Sequence, residues 1–395
     1  MMAVRRLRRL LVPLPSAAIG GAERHTASLA LALAEAGVEV TVAAEPALLP
    51  GLAALFRPLA PVAAPVGWRE AEGMEANAAR QAGAAAALIA RHVPEAALLP
   101  LPWPSHGLGL QRALAEAHLP GLAIAHLAPH EPEPVPAALL RPALAAPLAW
   151  AAVSAPVAGR VAALFGLAPG QVAVVPNGVA VPPEDPARRA AQRLARRAAL
   201  GLGPGAPLVL FAGRLEEKKG ADLLPALAGR LGEELGATLA ALGAGPLAPL
   251  LAAHPAAREG GPLRLPGAVD DVGDWLLAAD ALVLPSRLEG CPLIALEAAA
   301  RRCPIVATAA ALECWGDAAR SLALVVATQS VLDLTDRVSV AIAKPADMAP
   351  LLDLAGKKAG DFDRPRMVGQ YFALLRGLGP AAAPSGPARA HPDGR

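Results

Sequence analysis

Twelve short apolar runs alternate with helix-forming segments along this chain, six on each side of a proline-rich break. Before the break they lie near residues 10–14, 38–43, 97–101, 122–126, 150–153 and 172–175. After it they lie at 208–212, 238–242, 262–266, 281–284, 304–307 and 322–326. Short apolar runs bounded by turn signals read as buried strands, and their alternation with helices implies parallel sheets with crossover connections. Asn177-Gly178 followed by Pro182-Pro-Glu-Asp-Pro186 reads as a linker. The expected fold class is α/β, with two Rossmann-like doubly wound domains, residues 1–180 and 181–360. Phe362 to Gly377 reads as a terminal helix, and the Pro/Ala/Gly-rich stretch 379–395 as a disordered tail.

At 395 residues each domain can bury a full core. Arginine far outnumbers lysine, which occurs only at 218, 219, 344, 357 and 358, a bias of genome composition rather than of nucleic-acid binding. A net charge of +2 gives no argument for a polyanionic partner, so no nucleic acid is expected. Cys291, Cys303 and Cys314 form no C-x-x-C pair and have no histidine at ligand spacing. They fit a reducing, cytoplasmic compartment without disulfide or zinc. Met1 to Ile19 imitates a signal peptide, but Pro13 and Pro15 interrupt it, and Leu10–Leu14 reads as a first buried strand. The uncharged run between Arg141 and Arg160 is broken by Pro142, Pro147 and Pro156, which excludes a membrane span. The arginine-rich helix at 188–197 reads as a solvated face; contact with anionic lipid headgroups at the inner face of the plasma membrane is the other reading.

The stretch from Leu284 to Glu297 carries the most chemistry. Ala281–Leu284 reads as a strand, Pro285 to Gly290 as the turn after it, and Pro292 suits the first turn of a helix. Glu289 then stands at the helix mouth and Glu297 inside the helix, beside free backbone N–H groups that accept phosphate or sugar oxygens. The same two residues fit a solvated loop glutamate and an ordinary helix glutamate. Gly20-Gly21 opens the first helix at the end of the first strand, without the dinucleotide spacing. Arg214 and Lys219 leave the first strand of the second half together, placed to clamp a diphosphate or to form a surface charge cluster. Gly243-Ala-Gly245 is a further glycine-rich loop at a strand's carboxyl end. Val269 lies in a turn that fits beside a nucleobase and equally reads as an ordinary loop. His126 closes a strand and would point into the crevice between domains; a lone histidine there equally reads as a structural one.

In order along the chain, these features resemble the retaining glycosyltransferases of family 4, the group 1 glycosyltransferases, which have the GT-B fold. The resemblance rests on Gly20-Gly21-Ala-Glu-Arg24, His126, Val153-Ser154, Val174-Val-Pro-Asn177-Gly178-Val179, and Gly213-Arg214-Leu with Lys219-Gly220. It continues through Gly243-Ala-Gly245-Pro, Ala279-Asp280, Leu284-Pro-Ser with Glu289 to Glu297, and Pro304-Ile-Val-Ala-Thr308. It implies a terminal helix, within 361–378, that crosses back onto the N-terminal domain. It also implies a metal-independent enzyme with no cofactor beyond an NDP-sugar co-substrate, transferring sugar with retention to a glycan or lipid-linked acceptor. Arg214 and Lys219 would hold the diphosphate, with Gly20 and Gly21 behind it. Glu297 would bind the ribose, and Glu289 the transferred sugar beside Gly290 and Cys291. Gly243, Gly245 and Val269 would line the nucleotide, and His126 would sit at the sugar.

Asp361-Phe-Asp363 resembles a metal motif of a different glycosyltransferase fold, but at the start of a helix it reads as capping. The chain departs from the family pattern at Arg302, Ala311 and Leu312, where glycines are common, which alters the loop after Thr308. Trp68, Trp103 and His106, in the acceptor region, read as packing residues rather than sugar platforms. The rival readings are a non-catalytic GT-B protein that binds a nucleotide sugar or partners another enzyme, and a sugar-nucleotide epimerase.

Overall fold

The computed structural model describes residues 7–378, so the tail expected from 379 onward lies outside the described residues. Seven parallel strands form the first sheet: β1 (Arg9–Pro13), β2 (Glu39–Ala44), β3 (Val62–Ala63), β4 (Ala96–Leu101), β5 (Gly121–Ala125), β6 (Leu148–Ala152) and β7 (Val172–Val174). Their order is β3-β2-β1-β4-β5-β6-β7. Six more form the second: β8 (Leu208–Ala212), β9 (Thr238–Leu242), β10 (Leu263–Gly267), β11 (Ala281–Leu284), β12 (Ile305–Thr308) and β13 (Leu324–Val326). They run β10-β9-β8-β11-β12-β13, which repeats the first sheet's winding. The central strands are buried on both faces, as all-parallel sheets require, so their sequences read as unbroken apolar runs. β3 was not anticipated: two residues between Pro61 and Pro65 are too short to show a period.

The terminal helix, Arg364–Arg376, packs on the first domain's helix Gly21–Glu35 and on β5. Its entry is stitched to the linker. The Val179 N–H donates to Phe362 O (2.9 Å), and the Arg364 N–H donates to Val179 O (3.1 Å). Met367, Tyr371 and Leu375 are buried in a cluster that contains β1 and β5 side chains together with Leu284, Cys291 and Leu296 of the second domain. Asp363 caps the helix by accepting the Arg366 N–H (2.7 Å), and Asp361 pairs with Lys358 (2.8 Å), in keeping with the capping reading. Among the described residues no helix is long and apolar enough to cross a membrane.

The arginine-rich helix, Pro186–Ala199, is exposed along much of its length, but its arginines pair with the second domain. Arg188 binds Asp274 (2.6 Å), Arg193 binds Asp280 (2.7 Å), Arg196 binds Asp271, and Arg189 reaches the carbonyls of Leu277 and Arg301. Arg197 is fully buried: its guanidinium donates to Ala206 O and Ala278 O (2.8 Å each) and binds Asp280 (2.7 Å). Asp280 also accepts the Leu208 N–H (2.8 Å) at the start of β8. These arginines staple the linker helix to the second domain, each paired with a carboxylate or a backbone carbonyl there. Asp280→Ala leaves a buried guanidinium without its counter-charge, and the expected cost is about 3–5 kcal/mol. Urea unfolding measures it; a midpoint equal to wild type would contradict the staple.

Candidate functional site

In doubly wound sheets the ligand crevice opens beyond the carboxyl ends of the strands, where the winding reverses. That point lies between β1 and β4 in the first sheet and between β8 and β11 in the second. Gly20 and Gly21 follow β1, Arg214 and Lys219 follow β8, and Glu289 follows β11. The topology brings these segments to one cleft from positions far apart in sequence.

Lys219 and Glu289 meet directly. The ammonium donates to both Glu289 oxygens at 2.7 Å. Glu289 is nearly buried and also accepts the Ser286 hydroxyl (3.0 Å), while Thr308 donates its hydroxyl to Ser286 O (2.6 Å). The two loops are clasped elsewhere too. The Arg287 N–H donates to Lys218 O (2.8 Å), its guanidinium grips Asp222 (2.6 and 2.7 Å), and Gly220 lies against Pro285 O. Arg214 stands beside this unit, half-exposed, 3.4 Å from Glu216. Its charge also reaches Glu23 of the other domain.

Glu297 lies inside the helix Leu293–Ala300. Burial raises its carboxyl above the usual range, and the charges of Arg301, Arg24 and Arg364 oppose that shift without cancelling it. Arg24 belongs to the first helix and Arg364 to the terminal helix, so three separate elements converge on one carboxylate. Beside it the domains touch. A Cβ on Gly290 would stand 1.8 Å from His126 O, and the Asn177 amide donates to Cys291 O (2.6 Å). His126 closes β5, its N–H donating to Leu101 O (2.9 Å). Its ring packs edge-on to His25 (4.7 Å between centroids), which in turn meets Tyr371 (5.2 Å). Burial and the neighbouring His25 hold His126 neutral; burial alone lowers His25 to about 3.

At the mouth of the first helix, added Cβ atoms on Gly20 and Gly21 would meet only ordinary contacts: Glu23 Oε2 at 3.6 Å and Leu293 Cδ1 at 3.8 Å. No protein neighbour demands glycine there. The mouth already holds a carboxylate, because buried Glu23 turns back to accept the Gly20 N–H and the Ser16 hydroxyl. Desolvation raises the Glu23 carboxyl above its usual range, and the hydrogen bonds from Ser16 and Gly20 and the charge of Arg214 oppose that shift. Gly243 and Gly245 have a packing reason instead. Their Cβ atoms would fall 1.9 Å from Gly213 O and 2.5 Å from Leu215 O, so glycine is needed to seat one loop on the other. Val269 follows β10, the outermost strand on that side, and packs half-buried against the core. It is set apart from the Lys219–Glu289 unit by β9.

The first domain matches the model described as Glycosyltransferase Family 4 over residues 19–181, and the second matches Glycosyl transferases group 1 over 206–344. HepE from Anabaena, solved in complex with UDP-glucose, superposes with a TM-score of 0.74 at 17% identity, covering 94% of this chain and 100% of that one. A glycosyltransferase from Rickettsia africae gives 0.72 at 14% identity, covering 94% and 98%. The chain belongs to the family 4, group 1 glycosyltransferases. Its fold is GT-B. The D-inositol 3-phosphate glycosyltransferase of Streptomyces bingchenggensis is 37% identical over 156 residues, which is 36% of this chain; the match spans about a third (34%) of that relative's length.

Sequence reasoning gave no role to Arg24, Arg364, Asn177, Ser286 or Thr308. Arg24, Asn177, Ser286 and Thr308 stand inside motifs that it quoted; Arg364 is brought to Glu297 only by the terminal helix. In the loop after Thr308, Ala311 and Leu312 are fully buried, and Glu313 reaches Arg160 of the first domain.

Burial of Glu297 has a pH consequence. A carboxyl raised above its ordinary 4.5 stabilises the fold below the unfolded value, and that contribution is lost as pH rises through the folded value. Above the folded value the ionised residue therefore costs stability. Glu297→Gln is expected to melt about 1–3 °C above wild type at pH 8, with the difference closing toward pH 4. Thermal melts across that range check it; a variant less stable at pH 8 contradicts the sign.

Proposed function

We propose that this protein is an NDP-sugar-dependent glycosyltransferase that transfers its sugar with retention and without a metal. The observation that supports this most is the Lys219–Glu289 unit at the strand-order reversal of the second sheet, with Arg214 and Glu297 flanking it. The ion pair stands in for a loaded site. A diphosphate draws the Lys219 ammonium away from Glu289, and the freed carboxylate accepts hydroxyls of the transferred sugar. Arg214 joins Lys219 on the diphosphate, so two fixed cations meet the charge that grows as the nucleotide leaves. Glu297 accepts the ribose hydroxyls. Gly290 and Cys291 lie against the sugar on one side and His126 on the other. Gly20 and Gly21 leave room at the first helix mouth for the diphosphate, and the loops bearing Gly243, Gly245 and Val269 border the nucleotide.

The acceptor hydroxyl then comes from the first domain's side of the cleft, from a glycan or lipid-linked acceptor. The Streptomyces relative's name points to an inositol phosphate, a narrower acceptor class, on the strength of a partial match. The closed loop after Thr308 favours a second reading, a GT-B protein that binds a nucleotide sugar without turning it over. Incubation with UDP-, GDP- and ADP-sugars, followed by proton NMR, separates them. The account expects slow donor hydrolysis that releases sugar first in the donor's own anomeric form. Inverted product contradicts retention, and binding without any turnover favours the second reading.

A further inference from the structure

Two of the chain's five tryptophans stand outside its cores. Trp150, Trp275 and Trp315 are buried in the apolar clusters, whereas Trp68 and Trp103 are half-exposed and belong to none of them. Trp103 lies two residues beyond β4. The Trp68 N–H donates to Pro15 O (3.2 Å), just beyond β1. Both therefore sit at the carboxyl ends of adjacent strands, on the cleft side of the first domain. Lys218 of the second domain lies over the Trp103 ring, 4.6 Å from its centroid, next in sequence to the Lys219 that pairs with Glu289.

We propose that Trp68, Trp103 and His106 form the acceptor subsite, and that it takes the carbon–hydrogen face of a neutral pyranose. The proposal rests on the glycosyltransferase reading and names the substrate class on its acceptor side. Trp68 and His106 are stacked in parallel, 4.1 Å apart and 4° from coplanar, with Trp103 tilted beside them at 6.4 Å. The arrangement is held in advance of any ligand. Gln81 donates to both Val66 O (3.0 Å) and His106 O (2.7 Å), which ties the two aromatic loops together. The Trp103 indole N–H is fixed by Glu133 (2.9 Å).

The electrostatics favour a neutral sugar. Aromatic faces carry negative potential, which is why the Lys218 ammonium rests on Trp103. The axial C–H bonds of a pyranose present the same polarity over a wider area, so the sugar ring takes that place and the flexible lysine swings aside. Lys218 apart, an anionic acceptor finds little to hold it. Burial and the nearby Lys218 lower His106 to about 3, so it carries no charge. Arg69 is bound to Glu45 and Glu72, and Arg80 to Glu72. Two buried donors in this region, the Trp68 indole N–H and the Ser105 hydroxyl, have no partner among the described residues and suit a hydroxyl-rich ligand.

Saturation-transfer NMR in the presence of UDP tests this, with methyl α-glucopyranoside, methyl β-galactopyranoside and methyl α-mannopyranoside as probes and myo-inositol 1-phosphate as the anionic comparison. At least one pyranoside is expected to receive saturation from protein aromatic protons, strongest on the C–H protons of one ring face. The transfer should fall about tenfold in Trp103→Ala and Trp68→Ala and be largely kept in Trp103→Phe, which also guards against a folding defect. No transfer to any of the three pyranosides, equal transfer in Trp103→Ala, or stronger binding of the inositol phosphate overturns the proposal. UDP affinity, measured in parallel, should not change in the tryptophan variants. Nucleotide bound without pyranoside sinks the subsite alone; failure of UDP, GDP and ADP alike to bind the wild type removes the functional reading beneath it.

Discussion

Under the proposed function, Lys219→Ala is expected to turn over an NDP-sugar donor about 100- to 1,000-fold more slowly, while donor affinity weakens only about tenfold or less. The asymmetry follows from where charge appears. The diphosphate already carries negative charge in the ground state, but it gains more as the glycosidic bond breaks. A fixed ammonium is worth most at that moment. Removing Lys219 also orphans Glu289, whose carboxylate is nearly buried and keeps only the Ser286 hydroxyl. A stability loss of about 1–3 kcal/mol should accompany the kinetic one. The double variant Lys219→Ala/Glu289→Gln separates the two effects, because it removes the orphaned charge and should regain stability without regaining turnover. Stopped-flow and thermal measurements on the three proteins check this. Turnover restored in the double variant would mean that Lys219 serves only to neutralise Glu289.

Gly290→Ala is expected to lower turnover on the order of 100-fold while leaving each domain folded. The obstacle is a backbone one: the new Cβ would fall 1.8 Å from His126 O, and a backbone carbonyl, here of a residue whose N–H is tied to Leu101 O, has no rotamer to move into. The domains must separate instead, which breaks the Asn177–Cys291 bond and draws the first helix mouth away from Leu293. Donor affinity should change only a few-fold, since Arg214, Lys219, Glu289 and Glu297 all belong to the second domain. Small-angle scattering should show a larger radius of gyration than wild type. Gly229→Ala, where a Cβ meets nothing within 4 Å, is the control and should change neither quantity. A Gly290→Ala protein as compact and as active as wild type would contradict domain contact at this point.

Much of this architecture was legible because parallel strands buried on both faces leave a one-dimensional signature. Runs such as Leu208–Ala212 and Ala281–Leu284 are apolar throughout and are bounded by glycine, proline or charge. The two-residue β3 left no such signature. The Lys219 and Glu289 loops were visible as motifs, but their mutual bond was not, because sequence spacing of 70 residues says nothing about contact. The arginine helix misled for a physical reason. Arginine at every third or fourth position looks like a wet face unless the carboxylates facing it are known, and Asp271, Asp274 and Asp280 come from a segment some 80 residues away. Gly243 and Gly245 could not be resolved from sequence, since a glycine required by a neighbouring backbone and one required by a ligand are identical there, and the close approach to Gly213 O and Leu215 O appears only in the fold. Trp68 and Trp103 read as packing because burial is decided by tertiary neighbours, and the stacking of Trp68 on His106 and of Lys218 on Trp103 is made by residues that sequence spacing does not bring together.

The central claim is that one carboxylate–ammonium unit and the helix behind it form a nucleotide-sugar site. Titration calorimetry of UDP-, GDP- and ADP-sugars into wild type, Glu297→Ala and Lys219→Ala tests it most directly. The account predicts that one nucleotide series binds the wild type, that Glu297→Ala weakens it by at least tenfold, and that Lys219→Ala weakens it less. Wild-type protein that binds none of the three, or two variants that bind as wild type does, would contradict it.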